Sequence, residues 1–269
     1  MAQFDGLLLC TDLDDTLLTD DKRVSDENIE AIKYFMDNGG LFTFATGRVP
    51  AGARLMLDYV VPNAPMVCFN GGAIYDYSKE EFVWQAALGE DALPAVEYVE
   101  KAFPPVGIEV CTDDKVYFCK TNRIVEEHKR LEKFPDNYLG YKEIKKTWRK
   151  VIFMVEERDI ETLRRIVDES PFADDFSFVR SSPWYYELLP KGATKGAGLM
   201  RLADILGIKH KNTIGMGDNE NDLSLVQDAG LGIAVANAAE IVKRAADMIT
   251  VDNNSHAVRA VVEYLKEMI

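Results

Sequence analysis

Short apolar runs alternate with helix-patterned stretches at both ends of this chain, and that alternation restricts its possible folds more than any other feature. Leu7 to Cys10 reads as a short buried strand of the parallel-sheet kind. Ser25 is placed to cap a helix that runs through Met36 and stops at Asn38-Gly39-Gly40. Leu41 to Ala45 is a second strand, a helical stretch reaches Tyr59, and Met66 to Phe69 is a third strand. Towards the C-terminus, Thr213 to Met216, Leu231 to Val235 and Met248 to Val251 are further short strands separated by helices. This order predicts an α/β fold with a doubly wound parallel sheet.

The middle of the chain breaks the pattern. From about Val83 to Glu187 aromatic residues and prolines are more frequent, and strand-like runs come in pairs. Ile108 to Cys111 and Val116 to Cys119 read as a hairpin across Thr112-Asp113-Asp114-Lys115. Val151 to Val155, a helix from Asp159 to Glu169, and Phe176 to Val179 follow. The expectation is an α+β unit at residues 83–187, inserted between the two parts of a core formed by residues 1–82 and 188–269.

Composition narrows the function. The chain has 269 residues and a formal net charge of −14, with no basic stripe carrying interleaved aromatics, so nucleic acid is not an expected partner. No apolar run approaches the roughly 20 residues of a membrane span. The N-terminal segment Met1-Ala2-Gln3-Phe4-Asp5-Gly6 lacks the basic start and apolar core of a secretion signal, which predicts a cytoplasmic protein. Cys10, Cys68, Cys111 and Cys119 lie in apolar segments without CxxC spacing and read as buried free thiols.

Chemistry-bearing residues stand at the predicted strand ends. Asp12-Leu13-Asp14-Asp15-Thr16 follows the first strand. If strand geometry persists there, Asp12 and Asp14 share a face, since residues two apart do. Clustered carboxylates repel unless a cation, a shared proton or water relieves them, and Mg2+ suits such oxygen ligands. A capped acidic turn is the plain alternative. Thr46-Gly47-Arg48 follows the second strand, Lys195 opens a helix behind Pro190-Lys191-Gly192-Ala193-Thr194, and Gly217-Asp218-Asn219-Glu220-Asn221-Asp222 follows Thr213 to Met216. Any one of these could be a turn, a solvated lysine or a helix cap. In combination they suit phosphoryl transfer. Asp12 can attack phosphorus, and Mg2+ held by Asp12 and Asp218 would offset anionic repulsion. Lys195, Thr46 and backbone N–H groups such as that of Gly47 can hold phosphate oxygens. Asp14 can move protons, a role that calls for a carboxyl raised by its acidic neighbours.

With these motifs in this order, the chain resembles the haloacid dehalogenase superfamily, in particular its Cof-type phosphatases. Asp12-Leu13-Asp14-Asp15-Thr16 is similar to the family's first motif, Phe44-Ala45-Thr46-Gly47-Arg48 to the second, Pro190 to Gly196 to the third, and Gly217 to Asp222 to the fourth. Asn70-Gly71-Gly72 is similar to an Asn-Gly pair after the third core strand. The resemblance implies a Rossmann-like core with an inserted C2-type cap that closes over the site and selects the leaving group. It implies that Asp12 is the nucleophile and Asp14 the general acid and base. Mg2+ would lie on Asp12, Asp218 and the Asp14 backbone carbonyl, with Asp222 supporting it indirectly. Thr46, Gly47, Lys195 and Asn221 would contact the phosphoryl group. Asp15 departs from the glycine common at its position and reads as a solvated or capping residue.

The expected function is Mg2+-dependent hydrolysis of a small phosphorylated metabolite: a sugar phosphate, a nucleotide or a phosphorylated cofactor. The alternatives are a phosphosugar mutase using the same aspartyl-phosphate, and a catalytically inactive binding or regulatory module. In the cap, Tyr117, Arg180, Trp184 and Tyr185 are candidates for specificity or for cap packing. His128, His210 and His256 read as surface residues.

Overall fold

The computed structural model describes residues 2–268. The chain begins with β1 (Leu8–Thr11), α1 (Asp26–Asp37), β2 (Leu41–Phe44), α2 (Pro50–Ala53), β3 (Met66–Cys68), β4 (Ala73–Asp76) and β5 (Glu81–Gln85). It continues with α3 (Ala92–Ala102), β6 (Gly107–Cys111), β7 (Val116–Lys120), α4 (Arg123–Glu132), β8 (Lys150–Met154), α5 (Ile160–Asp168), β9 (Ser177–Arg180) and β10 (Tyr185–Leu189). It ends with α6 (Lys195–Leu206), β11 (Thr213–Gly217), α7 (Leu223–Asp228), β12 (Leu231–Ala234), α8 (Glu240–Ala245), β13 (Met248–Ile249) and α9 (Ala257–Met268).

Two compact units result, residues 1–85 with 194–269 and residues 86–193. The division lies a few residues from the 82/83 and 187/188 boundaries read from sequence, for two reasons. Strand β5 pairs with β4 and stays with the first unit, while β10 lies between β8 and β9 and belongs to the second.

The first unit holds a five-stranded parallel sheet in the order β13-β12-β11-β1-β2. Leu8 and Cys10 face α6 and α7, where they pack with Leu199, Leu202, Ala203 and Leu225. Alternation turns Leu9 the other way, towards the side where α1 packs on β2 and on α9. Each such fully buried aliphatic side chain contributes about 1.5–3 kcal/mol. The third predicted strand does not simply extend this sheet. Strand β3 makes one parallel bridge, Ala45 to Val67, and then pairs antiparallel with β4. The chain reverses immediately after it, at Phe69-Asn70-Gly71. Helix α1 starts as predicted, with the Ser25 hydroxyl accepting from the Asn28 N–H at 3.3 Å. The stretch towards Tyr59 is only the short α2 followed by a 3-10 segment, Arg54–Asp58.

The second unit is a five-stranded antiparallel sheet in the order β7-β6-β8-β10-β9. One face packs Ile108, Val110, Val151, Phe153 and Leu188 against Val96 and Val99 of α3 and Leu163 and Val167 of α5. All four cysteines are free thiols; Cys10, Cys68 and Cys111 are buried and Cys119 is half-buried. Among the described residues no helix is long and apolar enough to cross a membrane.

Candidate active site

The carboxyl ends of β2, β1 and β11 lie side by side, with Thr11 in register with both Phe44 and Met216. Ligands bind at this edge of open α/β sheets. Asp12, one residue past β1, donates its N–H to the Met216 carbonyl at 2.9 Å and is 6 % exposed. Beyond Asp12 the strand geometry does not persist. Leu13–Leu17 is a tight helical turn in which Asp14 is extended and Asp15 is left-handed at φ 55°. Asp12 and Asp14 therefore do not share a face as an extended strand would have required. The Asp12 carboxylate is turned inward to Lys195, and the Asp14 carboxylate lies half-exposed against Arg48.

Lys195 is the first residue of α6, whose N-cap is Thr194, accepting from the Ala197 N–H at 3.1 Å. Its side chain is completely buried, with Nζ 2.6 Å from Asp12 Oδ1 and 2.5 Å from Asp222 Oδ1. It is not a solvated helix residue. Asp222 uses its other oxygen, Oδ2, to accept the N–H groups of Asp218 and Asn219 at 3.0 and 3.1 Å. The loop after β11 is thereby folded onto its own carboxylate. Gly217 is required for that closeness, because a Cβ there would lie 2.3 Å from Asp222 Cβ. Asp218 in turn accepts a hydrogen bond from the Thr16 hydroxyl at 2.8 Å.

Asp12, Asp218 and Asp222 each place a carboxylate oxygen within 4.8 Å of the others. Burial first, and then the charge of Asp222, holds the Asp12 carboxyl well above its ordinary value. The same two causes push Asp218 up to about 7. Burial opposes the Lys195 charge, but Asp12 and Asp222 outweigh it and raise its pKa. One cation thus serves three carboxylates, and negative charge remains to be neutralised. The bonds above engage Oδ1 of Asp12 and Oδ1 of Asp218, and the second oxygen of each is outside them. This donor set fits a hard divalent cation. Asp222, with both oxygens engaged, is placed to hold Lys195 and the loop.

The Asp14 carboxylate, expected from sequence to have acidic neighbours, also has two basic groups against it. Arg48 points a fork at its carboxylate, Nε 3.2 Å from Oδ2 and Nη2 3.1 Å from Oδ2 and 3.3 Å from Oδ1. Lys22 lies 3.5 Å from Asp14 and 2.9 Å from Asp15. Asp15 is about half-exposed in this pair, in the backbone region that glycine enters most readily.

Thr46 is buried, its Oγ1 accepting the Arg48 N–H at 3.1 Å. Gly47 lies flat against Asn70, whose Nδ2 would be 2.9 Å from a Cβ on Gly47. Asn221 donates through Nδ2 to Asn70 Oδ1 at 3.2 Å. Asp12, Lys195, Asp218 and Asp222 thus form one contact group with Thr16, while Thr46, Gly47 and Asn221 meet through Asn70. The residues not assigned a role from sequence are Arg48, Asn70 and Thr16, though all three lie inside the motifs that carry the resemblance.

The inserted unit carries buried charge of its own. Lys150 and Glu187 pair at 2.8 Å, Ser181 donates to Glu187 at 2.6 Å, and Glu109 meets His128 Nδ1 at 3.0 Å. His128 is accordingly not a surface residue; its side chain is 14 % exposed. Of the cap candidates, Tyr117 packs against the cap core, Arg180 pairs with Glu161 at 3.1 Å, Tyr185 lies beside His128, and Trp184 is exposed.

The model of the haloacid dehalogenase-like hydrolases matches residues 9–262 of the chain. The Bacillus subtilis 5-amino-6-(5-phospho-D-ribitylamino)uracil phosphatase YcsE is 29% identical over 246 residues, covering 91% of this chain and 90% of its own. TM0651 from Thermotoga maritima has a similar structure, with a TM-score of 0.78 at 28% identity over 96% of this chain and 97% of that one. BT1666 from Bacteroides thetaiotaomicron shares the fold at a TM-score of 0.83 and 22% identity, covering 97% of this chain and 96% of that one. With the acidic cluster, its lysine and a family match across nearly the whole chain, the protein belongs to the haloacid dehalogenase-like hydrolases, as one of their phosphoric monoester hydrolases.

Proposed function

We propose that the protein is a Mg2+-dependent phosphatase that hydrolyses a small phosphorylated metabolite through an aspartyl-phosphate on Asp12. The observation that carries this reading is the buried Asp12 carboxylate held 2.6 Å from Lys195, with Asp218 and Asp222 beside it. A carboxylate so held is oriented for attack and cannot turn away into solvent. Asp12 and Asp218 would hold the cation, with the Asp14 carbonyl, and Mg2+ would supply charge neutralisation between nucleophile and phosphate.

The remaining chemistry falls to side chains. Asp12 attacks phosphorus, the ester P–O bond breaks, and protonated Asp14 gives its proton to the departing oxygen. Asp14, now a carboxylate, takes a proton from water. That water attacks phosphorus, breaks the bond to Asp12 and releases inorganic phosphate. Lys195, the Thr46 hydroxyl and the Gly47 N–H would grip the phosphate oxygens, with Asn221 as their neighbour. Asp14 must leave its ion pair with Arg48 before it can act as the acid. Arg48 is thus the first group that an incoming phosphate dianion would compete for.

Residues 86–193 would select the leaving group as a cap. The name of the B. subtilis relative makes phosphorylated ribitylaminouracil a compound to try first. Free thiols suit a reducing compartment, so we place the enzyme in the cytoplasm. A screen of sugar phosphates, nucleotides and phosphorylated cofactors, with and without Mg2+, tests the proposal by release of inorganic phosphate. Isomer formation without phosphate release would identify a mutase. No turnover of any ester, with Mg2+ bound, would leave an inactive module.

A further inference from the structure

Phe69, Asn70 and Gly71 are three consecutive residues with positive φ, at 50°, 52° and 93°. Asparagine and glycine enter that region readily, but a bulky aromatic residue does so at a cost. Runs of this kind persist where the surroundings over-determine them, and they concentrate at functional sites. The surroundings here are specific. The Phe69 and Asn70 N–H groups donate to the carbonyls of Arg48 at 3.2 Å and Thr46 at 3.0 Å. Gly71 lies so close to Thr194 that a Cβ would be 1.8 Å from its carbonyl oxygen, and Thr194 is the residue before Lys195. The Asn70 side chain accepts from Asn221. Asn221 Oδ1 is buried with no hydrogen-bond partner among the described residues, so the bond from Nδ2 to Asn70 is what fixes the rotation of that amide.

We propose that the Phe69–Asn70–Gly71 turn registers the phosphate-gripping groups against one another, and that Asn70 is the positioning residue for Asn221. This rests on the phosphatase reading, which makes Thr46, Lys195 and Asn221 phosphate contacts. One rigid turn touches the backbone or side chain of each, or of its immediate neighbour. The strain in it is the consequence of fitting two loops and a helix start around a single small anion. The Asn70 side chain acts through Asn221, while its backbone N–H, which Asn70→Gly keeps, holds the Thr46 loop.

The test is a double-mutant cycle on the full-length protein. Asn70→Gly keeps left-handed freedom and removes only the amide, so the fold should survive; thermal unfolding checks this. Inorganic phosphate is the probe, through its inhibition constant and by direct calorimetry with Mg2+ present. Asn70→Gly and Asn221→Ala should each weaken phosphate binding about tenfold, the size of one hydrogen bond, and raise KM more than they lower kcat. The double variant should be no weaker than Asn221→Ala alone, because the first change acts through the second. Effects that multiply would overturn the proposal, as would unchanged phosphate binding in Asn70→Gly. In both cases the wild-type phosphatase activity would stand. A wild type that neither binds phosphate nor releases it would remove the function and this inference together.

Discussion

Arg48 and Asp14, 34 residues apart, form a forked ion pair at 3.1–3.3 Å on the rim of the acidic cluster. Such charge-assisted pairs are strong and directional. They fix where the Asp14 carboxylate waits, beside the site but outside the three-carboxylate group. If Asp14 then supplies the leaving-group proton, its removal should matter in proportion to how poor that leaving group is. Asp14→Asn should slow hydrolysis of an alkyl phosphate by about 10²–10⁴-fold. With p-nitrophenyl phosphate, whose leaving group needs little protonation, formation of the phospho-enzyme should be far less affected. Burst kinetics on both esters checks this. Equal losses would remove Asp14 from the acid role.

Metal binding should depend steeply on pH. Asp218 is raised to about 7 by burial and by Asp222, so below neutrality a proton competes with the cation for it. Mg2+ affinity, measured by titration calorimetry, should fall as pH drops from 8 to 6. The contribution of Asp218 to the stability of the metal-free protein should run the opposite way. Between the ordinary carboxyl value of 3.8 and about 7, the native chain binds the Asp218 proton more tightly than the unfolded chain does. Stability is therefore lost as pH rises through that window. At pH 8, Mg2+ at about a hundred times its dissociation constant should add roughly 2.7 kcal/mol and raise Tm by roughly 5–10 °C. A Tm difference between apo wild type and apo Asp218→Asn that stays constant from pH 4 to 8 would contradict the pKa assignment.

Much of this site is legible in the sequence, and the part that is not has a common cause. Asp12 and Asp218 follow apolar runs whose alternation with helices places them at one sheet edge, so pattern alone brings them together. The direction of Asp14 depends on one left-handed residue, Asp15, and on a tight turn that no periodicity announces. His128 reads as solvated in sequence because its partner Glu109 is 19 residues away on a strand. Strand β10 is hard to read because Glu187 interrupts its apolar run; that glutamate is buried in an ion pair with Lys150. The turn at Asn70 is visible as Asn-Gly-Gly, a turn signal that carries no information about what it touches. Local pattern decides which segments form. Long-range partners decide what their polar residues do.

Lys195 should be the site's main stabilising residue as well as a phosphate contact. Its ammonium is fully buried between Asp12 and Asp222. Lys195→Met keeps the apolar stem but strands two buried carboxylates. Removing one partner of a buried ion pair costs about 3–5 kcal/mol. Urea unfolding of the metal-free variant should show a loss of that size, and activity should vanish. A stability change under about 1 kcal/mol would mean that the carboxylates are already neutral, with protons in place of the lysine charge.

Asp12→Asn separates chemistry from folding. The amide cannot form an acyl-phosphate, so turnover should fall to the background of the assay. The fold should not suffer equally. Lys195 keeps Asp222 at 2.5 Å, and the carbonyl oxygen of the substituted side chain can still accept from Nζ in place of the carboxylate. Replacing a buried charge that its neighbours repel removes a cost which burial and Asp222 impose on Asp12. In the metal-free state at pH 8 the variant should therefore unfold at the same temperature as the wild type or above it. With Mg2+ the order should reverse, since the variant has lost an anionic ligand and gains less from the cation. Calorimetry of both proteins with and without Mg2+ checks the crossing. A variant that is less stable in both conditions would show that the Asp12–Lys195 bond holds the fold rather than the reaction.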